Sequence, residues 1–403
     1  MSLNTTPASE RLHIGIFGKR NAGKSSVINA LTNQNIAIVS PIKGTTTDPV
    51  LKAMELLPLG PVMIIDTPGL DDEGELGTLR MQKAYQMLNK TDIALLVIDS
   101  ELGLTQADEQ LLEQIKAKAI PFLLVFNKID LASQPQIPSQ YQSIALGIST
   151  KTGANIEQLK NLLAQQLPAA TQEKKLVGDL LKPGDFVILV VPLDESAPKG
   201  RLILPQQQTI RDILEAGATS IVVRETELAA TLAQLGTSPQ LVITDSQVFA
   251  QVAKITPPHV LLTSFSILFA RYKGDLVAAV NGAKTLNQLV DGDTVLIAEG
   301  CTHHRQCNDI GSVKLPGWIS KYTGRQLKFA FTSGIEFPTE LDSYQLIVHC
   351  GGCMLNAREM QYRMQTAHLQ QIPITNYGIV IAYMQGILRR TRAPFPELQQ
   401  LLD

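Results

Sequence analysis

Residues 18–25 read Gly18-Lys19-Arg20-Asn21-Ala22-Gly23-Lys24-Ser25 and fit the pattern GxxxxGK[ST]. The apolar run 12–17 (LHIGIF) precedes them as a strand, and a helix is expected to follow. In that context the glycines let main-chain N–H groups wrap a β-phosphate. Lys24 neutralises charge between the β- and γ-phosphates, and the Ser25 hydroxyl is a ligand for Mg²⁺. Gly18, Asn21, Gly23 and Ser26 complete the candidate phosphate contacts of this loop.

Working outward, Asp66-Thr67-Pro68-Gly69 ends the strand-like run 61–66. Asp66 is placed to hold Mg²⁺ through water, and the Gly69 amide to sense a γ-phosphate. Asn127-Lys128-Ile129-Asp130 ends the run 121–126. The Asp130 carboxylate can accept hydrogen bonds from guanine N1–H and the exocyclic amine. Adenine lacks that donor pair, so the motif selects GTP. Ser149-Thr150-Lys151 completes the base pocket. Each short motif is weak alone, but their order and spacing point to a GTP-hydrolysing domain over residues 1–170.

The alternation of strands at 12–17, 61–66, 93–98 and 121–126 with helical stretches predicts a parallel sheet covered on both faces. The chain has 403 residues, enough for two or three domains. A polar segment at 165–182 reads as a linker. A second small parallel α/β domain is expected over 171–265, with strands at 186–191, 220–223, 241–244 and 260–263. A third α/β block runs over 266–403, with strands at 294–298 and 345–349. Hydrophobic residues make up 44% and charged residues 18%, so each domain can build a core; the net charge of −2 argues against a nucleic-acid partner. Without an apolar run of 18 residues or a signal-peptide pattern, the chain reads as cytoplasmic with no membrane partner.

All four cysteines, Cys301, Cys307, Cys350 and Cys353, lie in one 53-residue window. Cys301-Thr302-His303-His304 and His349-Cys350-Gly351-Gly352-Cys353 each follow an apolar strand. In a parallel sheet both would emerge at the carboxyl edge, where sites form. The glycines of the CxxC loop let two thiolates converge on one centre. Soft thiolates suit Zn²⁺ or an iron–sulfur cluster, and the spacing leaves both open.

Gly44-Thr45-Thr46-Thr47-Asp48 lies between the phosphate loop and Asp66. It resembles the GTTRD loop of the TrmE–Era branch of GTPases. That resemblance implies that Thr46 ligates Mg²⁺ and the γ-phosphate, while Thr47 stands where the branch has arginine. It also matches Asn21 to an asparagine that coordinates K⁺ in potassium-stimulated members. Leu70 stands where other GTPases carry a water-orienting glutamine, so slow intrinsic hydrolysis is expected without K⁺ or a partner.

Taken with the CxH…HCxxC pattern, which has 45 residues between His303 and His349, nearly the whole chain resembles the HydF family. HydF proteins are the GTPases that mature the H-cluster of iron-iron hydrogenases. The resemblance implies a middle dimerisation domain forming a homodimer and a C-terminal iron–sulfur domain. It implies a 4Fe-4S cluster on Cys301, Cys350 and Cys353, with His303 and His349 as candidates for the fourth position. The cargo would be a di-iron precursor carrying CO and cyanide, made by two radical-SAM enzymes and delivered to apo iron-iron hydrogenase. The competing expectation is an RNA-modification or ribosome-assembly GTPase with a structural zinc site.

Overall fold

The computed structural model describes residues 6–33, 49–69, 75–131, 136–166, 174–193, 202–301 and 309–401. Thr46, Thr47, Leu70, His303, His304 and Cys307 therefore lie outside the described residues. The chain divides into two compact units, Met1–Gln172 and Glu173–Asp403.

The first unit contains β1 (Leu12–Phe17), α1 (Lys24–Thr32), β2 (Val50–Leu56), β3 (Gly60–Asp66), α2 (Glu75–Leu88), β4 (Ile93–Asp99), α3 (Gln106–Ala117), β5 (Phe122–Asn127), β6 (Ala145–Gly147) and α4 (Ile156–Gln166). Its six strands are ordered β2-β3-β1-β4-β5-β6. The central strands are near-continuous apolar runs because both faces are covered. One face packs Ile14, Ile16, Ile64, Leu95 and Val125 against Val27, Ile28 and Leu159. The other packs Phe17, Ile65, Leu96 and Phe126 against Leu111 and Ile115.

β2 departs from the expected all-parallel arrangement. It joins β3 antiparallel, with Leu56 opposite Gly60 across a tight turn. Its sequence VLKAMEL carries Lys52 and Glu55, and six of its seven residues are partly or fully exposed, with only Leu56 buried. An edge strand of this kind lacks the apolar run that marks a buried strand.

The second unit begins with β7 (Phe186–Val190), α5 (Leu204–Glu215), β8 (Thr219–Val223), α6 (Leu228–Gln234), β9 (Leu241–Thr244), α7 (Phe249–Ile255) and β10 (Leu261–Ser264). These strands form a parallel sheet ordered β10-β9-β7-β8. There follow α8 (Phe265–Lys273), α9 (Leu276–Ala283), β11 (Thr294–Ala298), α10 (Leu315–Thr323), β12 (Lys328–Thr332), β13 (Leu346–His349), α11 (Ala357–Leu369), β14 (Ile374–Asn376), α12 (Tyr377–Met384) and α13 (Leu388–Arg392). The second parallel sheet is ordered β12-β11-β13-β14.

The two sheets of this unit are built together. Ile379, Ala382, Phe395 and Leu398, late in the chain, enter the core of the first sheet beside Leu189, Phe249 and Leu268. Gly282 on α9 rides directly on β14, where an added Cβ would meet the Ile374 carbonyl oxygen at 2.2 Å. The Thr375 hydroxyl donates to the Ala279 carbonyl at 2.8 Å, closing the same contact.

Candidate functional site

In the first unit, β1 delivers the chain into the glycine loop, and α1 leaves it with Gly23 at the helix N-cap in a left-handed conformation. Both loop glycines are required by space as well as by angle. At Gly18 a Cβ would strike the Val97 carbonyl oxygen at 2.2 Å, and at Gly23 it would strike Asn127 Nδ2 at 2.2 Å. Lys24 is buried, and its ammonium donates to the Gly18 and Lys19 carbonyls at 2.9 and 2.8 Å.

Ser25 hydrogen-bonds to Asp66, which burial pushes above the usual carboxylate range and Lys24 and Lys52 pull back. This hydroxyl–carboxylate pair beside the loop fits a Mg²⁺ position. Thr67 Oγ1 donates to the Ile16 carbonyl at 2.6 Å. Gly69 lies against the loop, where a Cβ would approach the Arg20 main chain to 3.0 Å. Asn21 is exposed, with φ +62°.

The base-pocket motifs meet at Asn127. Its Nδ2 donates to the Ala22 carbonyl at 3.1 Å, and its Oδ1 accepts from the Thr150 amide at 3.2 Å. The Ser149 hydroxyl donates to Asp130 at 2.7 Å and, with Lys151 and Lys128 nearby, holds that carboxyl below its ordinary range. Asp130 is thus an anionic acceptor, as guanine recognition requires. Lys128 pairs with Asp99 at 2.6 Å, a contact the sequence motifs do not single out.

In the second unit, β11 and β13 pair in parallel with Ala298 opposite His349. Cys301 and the His349–Cys353 loop therefore emerge from adjacent strands at one edge. The Gly300 amide donates to Cys350 Sγ at 3.1 Å, and the Gly352 amide approaches the same sulfur at 3.4 Å. Cys301, Cys350 and Cys353 are half-buried and form no disulfide. Burial pushes the Cys350 thiol up and the Gly300 and Gly352 amides pull it back. Burial and the neighbouring Cys350 push the Cys353 thiol up to about 11, with Lys273 opposing. Buried thiols of this kind ionise when a metal takes the charge. Cys301, Cys350 and Cys353 are all described, yet neither they nor any other three donors among the described residues are gathered into a group arranged to hold a metal; residues 302–308, which continue from Cys301, lie outside the described residues. The donor set itself, with soft sulfurs and main-chain amides aimed at one of them, fits a thiolate-bound iron–sulfur group.

His349 takes a different place from the thiols. It is fully buried; its Nδ1 lies 2.8 Å from the Cys350 carbonyl oxygen, and its Nε2 lies 3.1 Å from Arg363 Nη1. Arg363 can only donate, so Nε2 accepts and Nδ1–H donates to Cys350. Burial, with Arg363 adding to it, lowers the His349 pKa to about 3, so the ring is neutral. Both ring nitrogens are engaged within the fold, which places His349 as a support under the loop. Arg363, itself fully buried, also binds Glu359 at 2.8 Å and the Gly334 carbonyl. Lys273 and Arg363, the two buried cations beside the CxxC loop, are not marked by any motif. Their only sequence signal is a basic residue within an otherwise core-facing helix position.

Three family models match the chain. Residues 13–128 match one described as "50S ribosome-binding GTPase", residues 176–274 the "Hydrogen maturase F dimerization domain", and residues 277–394 the "Hydrogen maturase F tetramerization domain". The tRNA modification GTPase MnmE of Bordetella petrii is 37% identical over 152 residues, covering 38% of this chain and 32% of its own. MnmE of Synechocystis sp. is 35% identical over 175 residues, 41% of this chain and 37% of its own. The chain thus spans about a third of the length of these curated relatives. Among solved structures, Era bound to MgGDPNP and a 16S ribosomal RNA segment aligns with a TM-score of 0.36 at 23% identity, over 53% of this chain and 93% of that one. On the family model over residues 13–128 and the MnmE relatives, the first unit carries a GTPase domain. No helix among the described residues is long and apolar enough to cross a membrane. The two hydrogen maturase models together span more than half of the chain, which belongs to the hydrogen maturase F family.

Proposed function

We propose that this protein is a GTP-hydrolysing scaffold that holds a 4Fe-4S cluster and carries a di-iron precursor to apo iron-iron hydrogenase. The observation that carries the reading is the Gly300 amide donated to Cys350 Sγ at 3.1 Å. It sets the Cys301 strand end against the CxxC loop, in a chain whose other unit is a GTPase domain.

Cys301, Cys350 and Cys353 would hold the cluster, and the Gly300 and Gly352 amides would take up part of the thiolate charge. When bound through three thiolates, a 4Fe-4S cluster supplies one iron open to exchange. His349, locked by Arg363, orients the Cys350 carbonyl. His303 stays a candidate for the fourth position. In the GTPase domain, Lys24 and the loop amides hold the phosphates, and Ser25, Asp66 and Thr46 hold Mg²⁺. Gly69 senses the γ-phosphate, Asn21 supplies a K⁺ position, and Asp130 with Ser149 reads guanine. Ordered and released switch loops would gate exchange of the partners. Those partners are apo hydrogenase and two radical-SAM enzymes, and the 176–274 domain would pair two copies of the chain.

Anaerobic reconstitution with iron and sulfide analysis tests the reading. About four irons and four sulfides per chain, with transfer of a synthetic di-iron complex to apo-hydrogenase, is the expected result. Stoichiometric zinc without sulfide contradicts it.

A further inference from the structure

The CxxC loop lies on a seam. Cys353 packs against the core of the first sheet of its unit, and Cys350 against the core of the second. Across that seam α8 faces the loop: a Cβ on Gly351 would touch Ser266 and Phe269 at 3.7 Å. At the end of α8, Lys273 is only 2% exposed. Its ammonium donates to the Leu355 carbonyl at 2.8 Å and to the Cys353 carbonyl at 3.2 Å. The rings of Phe269 and Tyr272 flank it, with centroids at 5.6 and 5.9 Å.

A buried ammonium is costly unless negative charge or oriented dipoles surround it. A loop that presents thiolates to a metal has the opposite need. Two carbonyls hold this cation in place, and the aromatic faces add to them. We propose that Lys273 is a positioning residue for the cysteine loop, pinning its 353–355 turn and supplying a fixed positive charge to the iron–sulfur group bound there. The proposal rests on the reading of Cys301, Cys350 and Cys353 as cluster ligands. Lys273 belongs to the segment that matches the dimerisation domain, whereas the cysteines belong to the one that matches the tetramerisation domain. The clamp therefore makes the geometry of the loop depend on both.

The charge has a defined sign of effect. A one-electron reduction adds negative charge at the loop, and a nearby cation favours it. The test uses the full chain with Lys273→Met, Lys273→Gln and Lys273→Arg. In the metal-free proteins, hydrogen exchange is read on the amides of 350–356. In the reconstituted proteins, iron and sulfide are counted, and the reduced fraction at a fixed potential is read by electron paramagnetic resonance. Lys273→Met and Lys273→Gln should exchange the loop about tenfold faster or more, and their ratio of reduced to oxidised cluster should fall several-fold. Lys273→Arg should keep the wild-type ratio. If the Met variant does not fold, the Gln variant carries the same expectation. Wild-type exchange and a wild-type ratio in the neutral variants would overturn the proposal. Faster exchange with an unchanged ratio would overturn it too, leaving Lys273 as a helix-end strut. Wild-type protein that takes up no iron or sulfide would instead sink the cluster reading, while the metal-free exchange still decides the clamp.

Discussion

The Asn127 side chain donates to the main-chain carbonyl of Ala22 at 3.1 Å, tying the end of β5 to the glycine loop before α1. The same amide group sits where a side chain on Gly23 would collide. The loop proposed to hold phosphates and the strand end proposed to read guanine therefore share one joint.

Replacing Asn127 with Ala should loosen that joint. The buried Ala22 carbonyl and the Thr150 amide each lose a partner, at roughly 1–3 kcal/mol per unsatisfied group. GTP and GDP affinity should fall about 10- to 100-fold by calorimetry, with the preference over ATP kept. An unchanged affinity would mean that the joint plays no part in binding.

Asp130→Asn should act differently. The amide reverses one hydrogen-bond demand, so guanine preference should be lost and xanthine nucleotides accepted. The Ser149 hydroxyl, which donates to the carboxylate at 2.7 Å, can still donate to the amide oxygen. The domain should thus stay folded. Selective binding of GTP by this variant would remove Asp130 from its assigned role.

Hydrolysis should be faster in KCl than in matched NaCl. Asn21 is exposed at the loop, with φ +62°, and its side chain is accessible to a cation. Asn21→Ala should abolish the difference between the salts. Equal rates in the wild-type protein would take the cation site off this loop.

Lys24→Ala should abolish GTP turnover and leave iron uptake intact. Lys24 belongs to the unit Met1–Gln172 and the cysteines to Glu173–Asp403, and each unit has its own core. Loss of iron in this variant would show that nucleotide chemistry is needed to load the cluster.

Much of this was legible in the sequence because it is written in local patterns. The glycine loop, Asp66 and Asn127 to Asp130 all sit at ends of apolar strands, and the structure places them at strand ends. The Cys301 and Cys350 segments likewise follow β11 and β13, which prove to be neighbours. What escaped depends on tertiary contacts. β2 lacks the unbroken apolar run of the central strands, since Lys52 and Glu55 interrupt it, as suits an edge strand with β3 as its one neighbour in the sheet. Lys273 reads as an ordinary helix-end lysine until α8 is seen against the Cys353 turn. The resemblance makes His349 a candidate for the fourth cluster position. Only the fold brings in Arg363, 14 residues later, to occupy its Nε2.

The central claim is that three cysteines hold an iron–sulfur cluster with one exchangeable iron. The direct measurement is anaerobic reconstitution of the wild type and of Cys301→Ser, Cys350→Ser, Cys353→Ser, Cys307→Ser and His349→Gln. Iron and sulfide are counted, and the reduced proteins are examined by electron paramagnetic resonance with and without cyanide as a small ligand. The account predicts that each of the first three substitutions eliminates the cluster. Cys307→Ser and His349→Gln should retain it, and cyanide should perturb the wild-type spectrum by binding the open iron. A cluster destroyed by Cys307→Ser, with a wild-type spectrum indifferent to cyanide, would show a four-cysteine centre and contradict the account.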